Sequence, residues 1–347
     1  MTVRRGTVLL TVGAGLSVAV LVAAVVAAES GKSAPTSGAR GTSTAASRAA
    51  SATAASTAAS ASAARMPAGS SATRKPTGST PMSAAALAAV GLRQYSIPAT
   101  TSHFKARPAV VYLPPAAKTH PSWRFPVVEL LIGTGGTPSN WQDRGALSSR
   151  MAVISKKFNG KAPVVVVVDE NGYSTTDSEC VDRRHGDAEK YLAVDVPRWI
   201  YAHLPVKRGR DSFAISGLSE GGTCALMLAL RFPSVWQTFD DISGLKRPTV
   251  GEDDNRAKTI KVLFGGNAAA YDAHDPTYLL RTHRYPTTRG ELYYGTGDGP
   301  VVRDMAVVRP LLARAGAGVR TLTQPGLHKW PVFGGGLSSF LGWWYRG

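Results

Sequence analysis

The chain has 347 residues and a net charge of +17, from 40 Lys and Arg against 23 Asp and Glu. That length suits one large domain or two small ones. The charge suits contact with anionic lipid, envelope polyanions or glycans, or a merely solubilising surface; no basic stripe or nucleic-acid motif accompanies it, which sets nucleic acid aside.

Taken in chain order, "MTVRRGTVLLTVGAGLSVAVLVAAVVAAES" comes first. Arg4 and Arg5 precede an uncharged, mostly apolar run from Thr7 to Ala28. Residues 1–28 are expected to be a signal peptide cleaved after Val26-Ala27-Ala28, or a retained membrane anchor. The run is about twenty residues, nearer a bilayer span than the h-region of a signal peptide. The positive-inside rule puts everything after Ala28 outside the cell in either case, so the protein is expected to be anchored by residues 7–28 or secreted. Residues 29–89 are nearly all Ala, Ser, Thr, Gly and Pro. They carry too little apolar surface to offset the entropy of ordering, and an extended, disordered spacer is expected; its Ser, Thr and Pro permit O-glycosylation.

A globular texture occupies residues 90–347, which keep about +10 of the charge. "AVVYLPP" (109–115), "FPVVELLIG" (125–133) and "APVVVVVDENG" (162–172) read as strands, the last as one covered on both faces. "FAISG" (213–217), "IKVLFGG" (260–266), "ELYYGTGD" (291–298) and "GVRTLTQPG" (318–326) read as further strands. Helices are expected over 187–204, with a start at Asp195-Val196-Pro197, over 221–233 and over 301–318. An aromatic helix closes the chain. Alternation of this kind predicts an α/β fold with a mostly parallel central sheet and helices on both faces.

Parallel sheets carry their chemistry at the carboxyl ends of the strands. There stands Gly217-Leu218-Ser219-Glu220-Gly221, a G-x-S-x-G between a β-rich lead and a buried helix. The pattern alone is common in a chain rich in Gly and Ser. Its setting makes Ser219 the candidate nucleophile of a strained strand-to-helix turn. In that fold the order is Ser, acid, His. His328 follows the last strand and is the candidate base. Asp298 closes the strand thirty residues earlier and is the candidate acid; Asp304 is the alternative, followed by Asp240 or Asp241. Two backbone N–H groups are needed for the oxyanion: Glu220, after the serine, and Thr134 in "LLIGTGGTPSNW". That Gly-rich loop lacks the Lys-Ser/Thr of a phosphate-binding loop. The two cysteines, Cys180 and Cys224, read as a disulfide in an exported chain, with two free buried thiols as the alternative.

These motifs resemble the esterase D and antigen 85 (mycolyltransferase) branch of the α/β hydrolases, in particular exported actinobacterial esterase-family proteins. The matching pieces span roughly residues 95–345: "IPATTSHFKARPAVVYLPP", "LLIGTGGTPSNW", "TDSECVD", "EKYLAVDVPRWI", "GLSEGGTCALMLALRFPSVWQTFDDISG", "AAYDAHDP", "GTGD" and "GLHKW". The resemblance implies a lightly covered site, a triad of Ser219, Asp298 and His328, no metal and no cofactor. It also implies that the Cys180–Cys224 bridge lies beside the nucleophile helix. Two positions depart from the family pattern. Ile132-Gly133 stands where His-Gly is common, and Glu220 where Met is frequent. A carboxylate beside a developing oxyanion is an electrostatic liability unless it points away.

The expected function is an exported serine esterase or acyltransferase acting on a small-molecule or lipid ester, with cell-envelope lipid or glycolipid esters as candidates. The alternative is a non-catalytic surface binding module on a hydrolase fold. A peptidase of this fold needs a lid or extra domain, for which the chain has little spare length.

Overall fold

Every second residue of the central strands faces the same side of the sheet, and here both sides are apolar. The computed structural model describes residues 91–173, 177–183, 186–251 and 253–346. The apolar run 7–28 and the spacer lie outside them. Among the described residues no helix is long and apolar enough to cross a membrane.

The described residues hold ten strands in chain order: β1 (Gly91–Tyr95), β2 (Ala109–Leu113), β3 (Val127–Leu131), β4 (Val164–Val167), β5 (Asp182–Arg183), β6 (Gly186–Asp187), β7 (Phe213–Leu218), β8 (Thr238–Ile242), β9 (Arg289–Gly295) and β10 (Gly318–Gln324). Eight of them form one sheet in the order β1-β2-β4-β3-β7-β8-β9-β10, while β5 and β6 make a separate short ladder. In the large sheet β1 and β2 run antiparallel to their neighbours and every other pairing is parallel; the short β5–β6 ladder is antiparallel.

In β4, Val164 and Val166 pack on one face, and Val165 and Val167 on the other. The first face is covered by α2 (Val196–His203), α3 (Glu220–Arg231) and α5 (Gly299–Ala315); the second by α1 (Leu147–Lys157) and α6 (Trp330–Trp344). This explains the unbroken β-branched run, because a strand buried on both sides has no solvent face to mark with polar residues. α3 is buried at every position from Glu220 to Leu230, as its nearly all-round apolar sequence requires.

The expected strand at 260–266 is not a strand. Those residues belong to helix α4 (Arg256–Phe264). Asn255 caps it by accepting from Lys258 N, and Gly265 ends it at φ 59°. Ile260 and Leu263 are buried while Val262 is exposed, a three-residue spacing that an alternating strand would not give. β1 and β8 are strands absent from the sequence reading. In β8 the apolar run is interrupted by Asp240 and Asp241, both buried. The helix expected over 187–204 begins as a single turn, passes through a π-helical stretch at Tyr191–Asp195, and continues as α2 with Pro197 in its first turn. Proline has no N–H for the preceding turn, and a widened turn ahead of it accommodates that.

Cys180 and Cys224 form a disulfide that ties the segment after β4 to α3, and both are fully buried. It spans 44 residues of sequence, and closing such a loop stabilises a fold by about 4 kcal/mol in the chain-entropy model. The double variant Cys180→Ser/Cys224→Ser is therefore expected to melt roughly 8–16 °C lower. Thermal unfolding followed by circular dichroism measures this, and an unchanged melting temperature would mean that the bridge contributes nothing.

Candidate active site

The backbone turn between β7 and α3 builds the site. Ser219 sits at φ 56°, ψ −123°, a region that L-residues avoid. Its N–H donates to the Ile242 carbonyl at the end of β8. Helix α3 starts at the next residue, so strand and helix nearly touch. A Cβ on Gly217 would collide with the Gly221 carbonyl, and one on Gly221 with the Ile132 carbonyl. Only glycine fits at either position, which is the physical content of G-x-S-x-G.

Two other strand ends bring in the partners. Asp298 lies just past β9 and opens α5, with 6% of its surface exposed. His328 lies between β10 and α6, its ring edge-on to Phe333 at 5.0 Å. Asp298 Oδ2 is 2.6 Å from His328 Nδ1, and His328 Nε2 is 2.9 Å from Ser219 Oγ. A carboxylate oxygen accepts, so the imidazole proton belongs on Nδ1 and Nε2 is left to accept from the serine hydroxyl. The alternative acids have other partners. Asp304 binds Lys246 Nζ at 2.7 Å, Asp240 accepts from Ser216 Oγ, and Asp241 accepts from Gly244 N.

Ser219 and His328 open on a cavity of about 550 Å³. The loop from Ile132 to Gly136 forms one wall; Asn140, Arg144, Leu218 and the segment from Lys329 to Pro331 with Phe333 line the remainder. Thr134 is thus on the cavity wall that Ser219 also reaches, and its hydroxyl donates to Asp177 Oδ2. Among the described residues no acceptor engages the backbone N–H of Thr134 or Glu220.

Glu220 points away from the cavity. Its carboxyl group accepts from Asn171 Nδ2 at 2.9 Å and from Glu179 N at 3.0 Å. Burial, then the neighbouring Asp177, Glu170 and Glu179, push its pKa well above the ordinary range and favour the neutral acid. The liability expected of a carboxylate at this position is absent. The residues holding it, Asn171, Ser178 and Glu179, were not singled out in the sequence; they come from two polar stretches, "DENG" (169–172) and "TDSECVD" (176–182), that only the folded chain brings onto Glu220. Ile132 is buried, and its N–H donates to Glu170 Oε1. The sulfurs of Cys180 and Cys224 lie close to the Glu220 carboxyl, but they are bonded to one another and offer no thiolate to a metal ion.

A mostly parallel sheet carrying a strained serine at a strand-to-helix turn defines an α/β-hydrolase fold. The model of the esterase family, described as "Putative esterase", matches residues 102–336, and the chain belongs to that family. An uncharacterized protein of Corynebacterium glutamicum is 32% identical over 250 residues, 70% of this chain. The chain spans 58% of the length of that relative. S-formylglutathione hydrolase of Paracoccus denitrificans is 26% identical over 206 residues, covering 56% of this chain and 70% of that protein. Two solved structures share the fold. S-formylglutathione hydrolase from Agrobacterium tumefaciens superimposes with a TM-score of 0.60 at 18% identity, covering 73% of this chain and 93% of its own. MPT51 of Mycobacterium tuberculosis gives 0.51 at 20% identity, with 73% and 97% covered.

Asp241 braces the turn that receives the Ser219 N–H, and it is fully buried. Burial raises its pKa from 3.8 to about 7, against the opposing pull of the Gly244 N–H. The folded chain therefore keeps a proton that the unfolded chain releases between about pH 4 and 7. This group's contribution to stability is largest below that window, falls as pH rises through it, and is constant above it. Asp241→Asn keeps an acceptor for Gly244 and cannot ionise. Urea unfolding at pH 4 and pH 8 is expected to show the variant losing less stability than the wild type between the two, by a few kcal/mol. Equal losses would contradict this.

Proposed function

We propose that this protein is a serine carboxylic ester hydrolase or acyltransferase with Ser219 as nucleophile, His328 as base and Asp298 as the acid that orients it. The single observation that carries the reading is the continuous hydrogen-bonded chain from Asp298 through His328 to Ser219. Family membership and the sequence likeness to an S-formylglutathione hydrolase support it. His328 Nε2 takes the Ser219 proton as Oγ attacks the ester carbonyl. The bond to the alcohol breaks as the imidazolium returns that proton to the leaving oxygen. The amides of Thr134 and Glu220 receive the oxyanion. The acyl-enzyme then passes its acyl group to water or to an alcohol acceptor.

The catalytic domain is residues 90–347, exported by residues 1–28 acting as a cleaved signal peptide or a retained anchor, with residues 29–89 as a spacer. The disulfide is compatible with an oxidising compartment. Lipid or glycolipid esters of the envelope are the substrates that such a location offers, and the net positive charge favours contact with envelope polyanions.

Turnover of p-nitrophenyl butyrate is the test. Ser219→Ala and His328→Ala are each expected to lower kcat by about 10⁴-fold or more, and Asp298→Asn by about 10⁴-fold, with the fold intact by circular dichroism. Full activity in Ser219→Ala would remove the assignment.

A further inference from the structure

The cavity that holds Ser219 also holds two cations without anions. Arg144 and Lys329 both line it, and both are exposed. Among the described residues neither side chain has an ion pair or a hydrogen bond, whereas the neighbouring Arg150 donates to the Gly145 carbonyl and to Ser338 Oγ. Arg144 is held by an aromatic ring instead. Its guanidinium carbon lies 5.5 Å from the centroid of Trp330, which in turn meets the fully buried Trp141 edge-on at 5.4 Å. That contact fixes the guanidinium at the cavity wall and supplies no oxygen to its N–H donors. Lys329 directly follows His328 and is placed by the first turn of α6. The acids around the site are engaged elsewhere. Asp298 is bonded to His328, Asp177 accepts from Thr134 Oγ1 and Glu179 N, and Glu220 faces away.

A cavity with one sign of charge on a low-dielectric wall concentrates ligands of the other sign. A sphere of 550 Å³ is about 10 Å across, so a group meeting these cations stands only a few bonds from a carbonyl at Ser219. From this we infer that Arg144 and Lys329 form an anion subsite, and that the substrate is an ester bearing a carboxylate or phosphate close to the scissile bond. The planar fork of Arg144 suits either oxyanion, and Lys329 adds a second charge. The inference names the substrate class of the esterase reading and rests on it.

The test compares kcat/KM for p-nitrophenyl hemisuccinate and p-nitrophenyl butyrate, esters of similar length that differ in charge. The wild type is expected to favour the hemisuccinate by about tenfold at low ionic strength. In Arg144→Ala/Lys329→Ala, and in the wild type at high salt, the ratio is expected to approach one. A ratio at or below one in the wild type, or a ratio untouched by both the substitutions and salt, would overturn the subsite. If neither ester is turned over, the esterase reading fails and calorimetric titration decides the subsite alone. Salt-sensitive binding of monoethyl succinate or monoethyl phosphate that is lost in the double variant supports it, and the stronger of the two ligands identifies the oxyanion. No binding of either refutes it.

Discussion

The close approach of the end of β7 to the start of α3 is the constraint on which the site depends. It leaves room for no side chain at Gly217 or Gly221 and holds Ser219 at φ 56°. Backbone strain of this kind costs about 1–3 kcal/mol and persists only where the surroundings over-determine it. Here the surroundings are a parallel sheet on one side and a helix buried along its length on the other. The Ser219 N–H is anchored to the next strand through Ile242. The hydroxyl is thereby carried above the sheet, to the level where the loops after β9 and β10 deliver Asp298 and His328.

Electrostatics around the turn follow from the same packing. Burying α3 takes Glu220 out of water together with Glu170 and Glu179, and their pKa values are all driven upward, burial being the leading cause. A group of acids that would repel one another as anions is instead joined by hydrogen bonds from Asn171 and from backbone amides. The result is a hydrogen-bonded network of acids around Glu220, which is turned away from the cavity that Arg144 and Lys329 line.

Much of this was legible in the sequence, and the reasons differ by element. "GLSEGG" could be read because close backbone contact admits glycine alone. "APVVVVV" could be read because two buried faces leave no polar alternation. The order of Ser219, Asp298 and His328 is the order of the α/β hydrolases, and the structure brings all three together while giving Asp304 to Lys246. The helix over 256–264 was misread because "IKVLF" is short, apolar and β-branched, and its periodicity shows only when the Asn255 cap and the Gly265 stop are read with it. β8 was missed because its two aspartates break the apolar pattern, and only the folded chain supplies the hydrogen bonds that allow them to be buried. The orientation of Glu220 joins it to residues 41 and 49 positions away, the contact of Arg144 with Trp330 joins residues 186 apart, and no local pattern encodes such pairings.

The central claim is that Ser219 is activated by its contact with His328, and mechanism-based labelling tests it most directly. A fluorophosphonate probe, followed by peptide mapping, is predicted to label Ser219 alone, at one probe per chain, and much more slowly in His328→Ala. Labelling of another serine, or none in the correctly folded protein, would contradict the account.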